Sequence, residues 1–387
     1  MKENRHKHQH QYQGFEQGPI RPPSEAASLL IRVTRNCPWN RCTFCPVYKG
    51  EKFSLREVDH VIKDIDTVAH FVSRLRKEKT PSLGSADIGP LDGELGHGQR
   101  MAQSAAVNWA RGGMRSIFLQ DANSLIIKPK YLIRILEHLR LRFPWVERIT
   151  SYARSHTVCR IKEEQLKTMF ELGLNRIHIG MESGSDAVLK MVKKGSTKED
   201  HITAGRKIKN AGMELSEYIM PGLGGRELST DHALESADAL NAIDADFIRL
   251  RSLAIPNHVE LYTLYEKGAF GKLTDREVAR EILMFLEALD GIESMVKSDH
   301  ILNLFEEVQG KLPEDQEQML QVVKTFLALP DHERMLYQVG RRTGIFSRLA
   351  HLQDPGRRRQ AESTCDRFNI TPDNVDQAVD ELMKRFI

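Results

Sequence analysis

The stretch Ser28-Leu-Leu-Ile-Arg-Val-Thr-Arg35-Asn-Cys37-Pro-Trp-Asn-Arg-Cys42-Thr-Phe-Cys45-Pro46 carries a β-prone segment straight into three cysteines. Its first residues are aliphatic and β-branched, the composition of a strand. Three of the chain's five cysteines fall within nine residues. In a reduced compartment that concentration signifies metal ligation or catalysis rather than a disulfide framework. Four and two residues separate Cys37, Cys42 and Cys45. Thiolates so placed can hold three corners of a [4Fe-4S] cube and leave one iron without a protein ligand. Two other assignments share the pattern. Three Cys and one His make a structural zinc site, and Cys-x4-Cys-x2-Cys with a remote fourth Cys, here Cys159, is the plant-type [2Fe-2S] arrangement. Either would make the protein a non-catalytic electron carrier or a zinc-stabilised binding module.

Further along, β-prone runs at Ser116–Gln120, Arg148–Ala153, Asn175–Gly180, Met213–Met220 and Asp246–Leu253 alternate with stretches of helical period. Ser54-Leu-Arg-Glu57 has capping-box spacing and predicts a helix start near Ser54. Thr197-Lys-Glu-Asp200 opens another helix, Gly173 and Gly212 read as left-handed caps, and Ser229 or Thr230 is expected to cap the helix before the sixth strand. The Gly-, Pro- and Asp-rich residues from Thr80 to Gly98 read as a long loop. Six strands, each preceding a helix, call for a parallel α/β fold with right-handed crossovers, either an open doubly wound sheet or an incomplete barrel. Period alone leaves both open. After Pro256, helical spacing takes over at Met319, Leu320, Val323, Phe326 and Leu327. The expected division is a flexible N-terminal segment over 1–27, a core domain over 28–255 and a mainly helical C-terminal region over 256–387. The first of these, with His6, His8, His10 and the Pro22-Pro23 pair, has few apolar residues with which to pack.

The 387 residues are 40% hydrophobic and 28% charged, the balance of a soluble globular protein. There is no apolar run of about 18 residues and no apolar core of a secretory signal, so a cytoplasmic protein without a membrane partner is expected. A net charge of +3 is too small to make an electrostatic case for nucleic acid. The runs Arg341-Arg342 and Arg357–Arg359 read as solvated surface.

The cysteine triad after the first strand, Phe44 just before the last cysteine and the βα series that follows together resemble the radical S-adenosylmethionine (SAM) superfamily. The resemblance spans Ser28 to Leu253. Gly180-Met-Glu182-Ser-Gly-Ser-Asp186, Pro221-Gly-Leu-Gly-Gly225 and Asp246–Leu253 are similar to the branch containing anaerobic coproporphyrinogen oxidase and the Elp3/MiaB/NifB-type domains. The first cysteine spacing, four residues, is one longer than the superfamily's usual three. The resemblance implies a partial (β/α)6 TIM-like barrel, a [4Fe-4S] cluster on Cys37, Cys42 and Cys45, and SAM on the fourth iron. Phe44 would lie against the adenine, Glu182 would bond the ribose hydroxyls and Lys194 would pair with the SAM carboxylate. The backbone of Gly222, Gly224 and Gly225 would approach the adenine closely. Asp121 stands where the family places a Gly-rich, Glu-containing turn toward the SAM amino group.

The implied activity is reductive cleavage of SAM, giving a 5′-deoxyadenosyl radical that abstracts hydrogen from a substrate the sequence does not identify. A low-potential donor such as ferredoxin or flavodoxin would supply the electron. Only two cysteines lie outside the triad, too few for auxiliary clusters. Arg249 and Arg251 alternate along the sixth strand and share a face, as candidates for a substrate anion or the SAM carboxylate. The polar cluster Ser298-Asp299-His300-Ile-Leu-Asn303 either faces the active site or is a helix cap followed by a buried histidine.

Overall fold

The computed structural model describes residues 11–77 and 95–384. The loop expected from Thr80 to Gly98 falls, up to residue 94, outside the described residues, as do His6, His8 and His10.

Eight strands form the main sheet: β1 (Leu29–Arg32), β2 (Ser116–Gln120), β3 (Arg148–Ala153), β4 (Leu174–Glu182), β5 (Glu214–Ile219), β6 (Phe247–Leu250), β7 (Met295–Lys297) and β8 (Gly310–Lys311). They lie side by side in chain order. Every pair from β1 to β7 is parallel, and β8 returns antiparallel on β7. This order separates the two architectures left open by the sequence. A doubly wound sheet reverses its strand order at a switch point, whereas a barrel adds each strand beside the last. The first and last strands are ends of the sheet among the described residues, so the barrel is partial.

The crossovers are α1 (Val58–Lys77) and α2 (His97–Arg111), then α3 (Pro129–Arg142), α4 (Ser155–Val158) with α5 (Glu163–Glu171), α6 (Asp186–Met191) with α7 (Lys198–Asn210), and α8 (Gly225–Ile243). Alternate strand residues face these helices. Ile31, Leu119, Ile149, Ile177, Leu215 and Ile248 are buried there against apolar helix faces such as Val61, Ile65, Val68 and Val72 of α1. The opposite face carries aromatic and polar side chains. Rings of Phe118 and Tyr152 lie 5.2 Å apart, Tyr152 and His178 5.7 Å, and His178 and Tyr218 6.1 Å. Hydrophobic outer layers and a polar inner face are what a barrel with a site in its interior requires.

Three local expectations differ. Ser54–Leu55 pairs antiparallel with Thr34–Arg35, so Ser54 completes a small clasp instead of a capping box, and α1 begins at Val58. The helix before β6 starts at Gly225, with a break at Leu228 (φ −115°). Ser229 Oγ is turned to Glu281 instead of capping, at 2.5 Å. Arg341 and Arg342 are buried rather than solvated. Arg342 pairs with Asp275 at 2.7 Å, and Arg341 donates to the carbonyls of Asn303, Leu304 and Phe346.

The N-terminal residues are packed over the described part of the segment expected to be flexible. Phe15 is buried in the core, and Glu16 pairs with Arg35 and Arg56 at 2.9 and 2.6 Å. Glu25 is fully buried under the barrel, 3.6 Å from Arg148 and 3.7 Å from His178. Few apolar residues suffice because the segment docks on charged partners.

Beyond β6 the chain is mainly helical, with α9 (Glu260–Glu266), α10 (Asp275–Glu287), α11 (Gln316–Ala328), α12 (Asp331–Arg342), α13 (Pro355–Arg367) and α14 (Val375–Met383). Helix α10 packs on α8 and α11, and α12 on α13 and α14. Among the described residues no helix is long and apolar enough to cross a membrane.

Candidate active site

The cysteine loop leaves the C-terminal end of β1 and is moored to the turn after α6. Thr43 N–H donates to the Val192 carbonyl at 3.0 Å, and Trp39 Nε1 to the Lys193 carbonyl at 2.7 Å. These bonds bring Lys194 and the three thiols together. All three are free and half-buried. Burial pushes the Cys42 and Cys45 thiols up, opposed in both by the positive charge of Lys194 and in Cys42 by that of Arg154. Cys45 acts on Cys42, and Cys37 on Cys45, so the sulfurs are mutual neighbours. Cys159 is turned elsewhere, its thiol donating to the Asp200 carbonyl at 3.3 Å where α4 meets α7. That orientation removes the fourth ligand required by the plant-type [2Fe-2S] assignment. Among the described residues no three His, Cys, Asp or Glu side chains close around a point as a single metal ion demands. A cube is larger than an ion and sets its ligands farther apart, so the donor set fits the [4Fe-4S] cluster better than zinc.

Glu182 and Lys194 form an ion pair at 3.0 Å, each largely shielded from solvent. The strand register shifts between Gly180 and Glu182, Glu182 takes a positive φ of 67°, and its carbonyl accepts from Met220 N–H at 3.0 Å. Side chains rarely adopt that backbone region, and here it aims the carboxylate at the mouth of the barrel. Gly180 leaves room for the pair, since a Cβ there would lie 2.4 Å from Glu182 Oε1 and 3.2 Å from Lys194 Nζ.

Phe44 is buried in a small apolar cluster with Val188, Val192, Met220, Leu223 and Leu253, against which Cys42 and Cys45 also pack. The glycine turn lies beside it. Gly222 N–H donates to the buried Glu281 at 2.6 Å. A Cβ at Gly225 (φ 60°) would meet the Phe270 ring at 2.9 Å, and one at Gly224 the Leu228 carbonyl at 2.6 Å. Close packing with the protein itself therefore accounts for Gly224 and Gly225.

Asp121 is at the expected strand end but is fully buried. One oxygen accepts from Tyr48. The other takes Arg32 Nε at 2.9 Å, Arg32 Nη2 at 2.7 Å and Asn36 N–H at 3.2 Å. Its carboxylate is thus spent on fixing the start of the cysteine loop instead of reaching into the mouth. The sequence reading passed over Arg32 and Tyr48 in this network. Arg32 carried a signal, since an arginine in an apolar strand run asks for a buried partner.

Arg249 lies inside, donating to Ser216 Oγ at 3.2 Å and pairing with Asp299 at 2.6 Å. Arg251 is exposed, and its charge acts on Tyr152, Tyr218 and His300. The cluster from Ser298 to Asn303 faces the end of β6, for Asn303 accepts from Ser252 N–H and donates to the Leu250 carbonyl, both at 2.8 Å.

A half-barrel with a cysteine loop, an acid–base pair and an apolar shelf at one strand edge defines a cofactor-dependent enzyme of the parallel-barrel class. Residues 99–237 match the family model of the radical SAM superfamily. Among curated relatives, a tRNA uridine(34) acetyltransferase of Methanocaldococcus infernus is 26% identical over 128 residues, 33% of this chain and 24% of that protein. A 4′-phospho-dehydrooxetanocin synthase of Priestia megaterium is 26% identical over 223 residues, 55% of this chain and 26% of that one. The aligned part thus spans about a quarter of the length of these two relatives. The solved structure of coproporphyrinogen III oxidase from Escherichia coli superposes on 67% of this chain and 52% of its own, at 12% identity and a TM-score of 0.45. The chain belongs to the radical SAM superfamily. It is an enzyme of that class, with a [4Fe-4S] cluster and SAM as its cofactors.

Proposed function

We propose that Cys37, Cys42 and Cys45 ligate the cluster and that the enzyme cleaves SAM reductively to act on its substrate by hydrogen abstraction. When bound, the cluster and SAM supply an electron to the sulfonium and a 5′-deoxyadenosyl radical. The chain's own part is to bind, orient and exclude water. Lys194, held by Glu182, offers its ammonium to the SAM carboxylate, while the second oxygen of Glu182 remains for the ribose hydroxyls. Phe44 and the apolar residues around it make a dry shelf for the adenine, along which the Gly222 turn runs. Asp121 acts through the loop, holding Asn36 and Arg32 so that Cys37 keeps its place. The observation that carries this reading is the convergence of three thiols, the Glu182–Lys194 pair and Phe44 at the C-terminal edge of the barrel.

The test is electron paramagnetic resonance of the anaerobically reconstituted, dithionite-reduced protein with and without SAM. The expected result is a [4Fe-4S]⁺ signal that changes when SAM is added, with 5′-deoxyadenosine appearing in the mixture. A [2Fe-2S] signal indifferent to SAM, or bound zinc without a signal, overturns the proposal. Replacing any one of the three cysteines by alanine is expected to abolish the signal and most of the bound iron.

A further inference from the structure

On its outer side the cysteine loop presents a feature that SAM binding leaves unused. The half-buried Trp39, two residues after Cys37, lies under two guanidinium groups. Arg41 is 5.1 Å and Arg154 4.9 Å from its ring centroid. The ring is seated on Gly195 (φ 70°), where a Cβ would come within 2.3 Å of it, and is tied by its indole N–H to the Lys193 carbonyl. Arg154 donates to the carbonyls of Lys194 and Gly195 and lies close enough to Cys37 and Cys42 to feel their charge. Thus an aromatic ring at the surface, a cation beneath it and the thiols form a short, rigid series leading inward.

The surroundings of Trp39 are basic. Arg41 and Lys190 are exposed, and among the described residues neither has an ion pair. Lys52 is exposed as well, Lys49 donates to the Asn40 carbonyl, and Lys193 is balanced by Glu260. The acidic residues of this face, Glu51 and Glu260, are outnumbered. The chain's net charge is only +3, so the bias is local to the loop. Local fields of this kind steer a partner of opposite charge and orient it on arrival.

We propose that the Trp39 surface is where the reductase partner docks, and that this partner is an acidic one-electron carrier protein. The proposal rests on the assignment of the cysteines to a redox cluster. One electron leaves the reduced carrier, which is oxidised by one unit, and the [4Fe-4S]²⁺ cluster behind Trp39 is reduced to [4Fe-4S]⁺; no proton or group is transferred. The carrier's acidic rim meets Arg41 and Lys190, and Trp39 fills the contact at its centre, as aromatic and arginine anchors do at transient interfaces.

The experiment follows cluster bleaching by stopped-flow absorbance in the reconstituted full chain, with either reduced flavodoxin or dithionite as donor. Arg41→Glu and Lys190→Glu, both exposed, are compared with wild type and with Trp39→Phe. At low ionic strength each charge reversal is expected to slow reduction by flavodoxin on the order of tenfold, an effect that fades as salt rises. Reduction by dithionite should stay within about twofold. A flavodoxin rate unaffected by either reversal overturns the proposal, and so does an equal loss with dithionite, which would mark a disturbed loop. If the reversals instead abolish retention of bulk tRNA in a gel shift while flavodoxin still reduces the cluster normally, the surface belongs to nucleic acid and the proposal fails. Absence of any bleachable chromophore in wild type would refute the cluster assignment itself, an outcome distinct from these.

Discussion

Asp121 shows what a single carboxylate does once its neighbours are known. Its oxygens are occupied by Arg32, Tyr48 and the Asn36 N–H, groups that converge from up to 89 residues away in the chain. Asp121→Asn removes one partner of a buried pair, and a loss of roughly 3–5 kcal/mol of stability is expected. Denaturant unfolding of the cluster-free protein checks this, and iron retention should fall in parallel. Glu182→Gln makes a contrasting prediction. Lys194 would lose its anion and the ribose a charged acceptor, so SAM is expected to bind on the order of tenfold more weakly with the fold intact, measurable by equilibrium dialysis. The sequence disclosed the cysteines, Phe44 and Glu182 because their meaning is local: spacing, one aromatic neighbour, one strand end. It could not disclose that Asp121 is already committed, because commitment depends on who arrives from elsewhere.

At the scale of elements, strands were the most legible. β2 and β3 run over the residues expected, and the Thr197 cap with Asp200 forms as anticipated. What escaped were places where a tertiary partner outbid a local signal, as when Ser54 paired with Arg35 instead of capping α1. The face of α7 that packs inward carries His201, fully buried, with Ser196 Oγ 3.1 Å from Nε2. Burial, aided by the charges of Lys194 and Arg154, lowers its pKa to about 3. The folded chain therefore keeps this imidazole neutral while the unfolded chain protonates it below the ordinary value of 6.5. Stability attributable to His201 is full above pH 6.5 and is lost at up to about 1.4 kcal/mol per pH unit as pH falls toward 3. Unfolding curves between pH 7 and 5 should show a shallower decline in His201→Gln than in wild type. Identical slopes would show that some other group governs the acid limb.

For the molecule as a whole, the α/β alternation was readable, but strand order was not: only pairing distinguishes a sheet that reverses from one that keeps adding neighbours. Nor did composition disclose that residues 12–25 are part of the body, since the contacts of Glu16 and Glu25 are made by charges on distant strands. Phe15→Ala is accordingly expected to cost about 3–5 kcal/mol, as for a core phenylalanine. A thermal melt unchanged by that substitution would show the segment to be an ornament.

The placement of the three tryptophans has an optical consequence. Trp109 and Trp145 lie together at 6.5 Å around Phe143 in the α2–α3 layer, whereas Trp39 rides on the cysteine loop. A broad-absorbing chromophore assembled on that loop would quench the nearest indole far more strongly than the distant two, because resonance energy transfer falls with the sixth power of separation. Emission from Trp39, isolated by subtracting the Trp39→Phe spectrum, should therefore dim in step with iron uptake while the interior pair serves as an internal standard, so that loading of the protein can be followed by light alone.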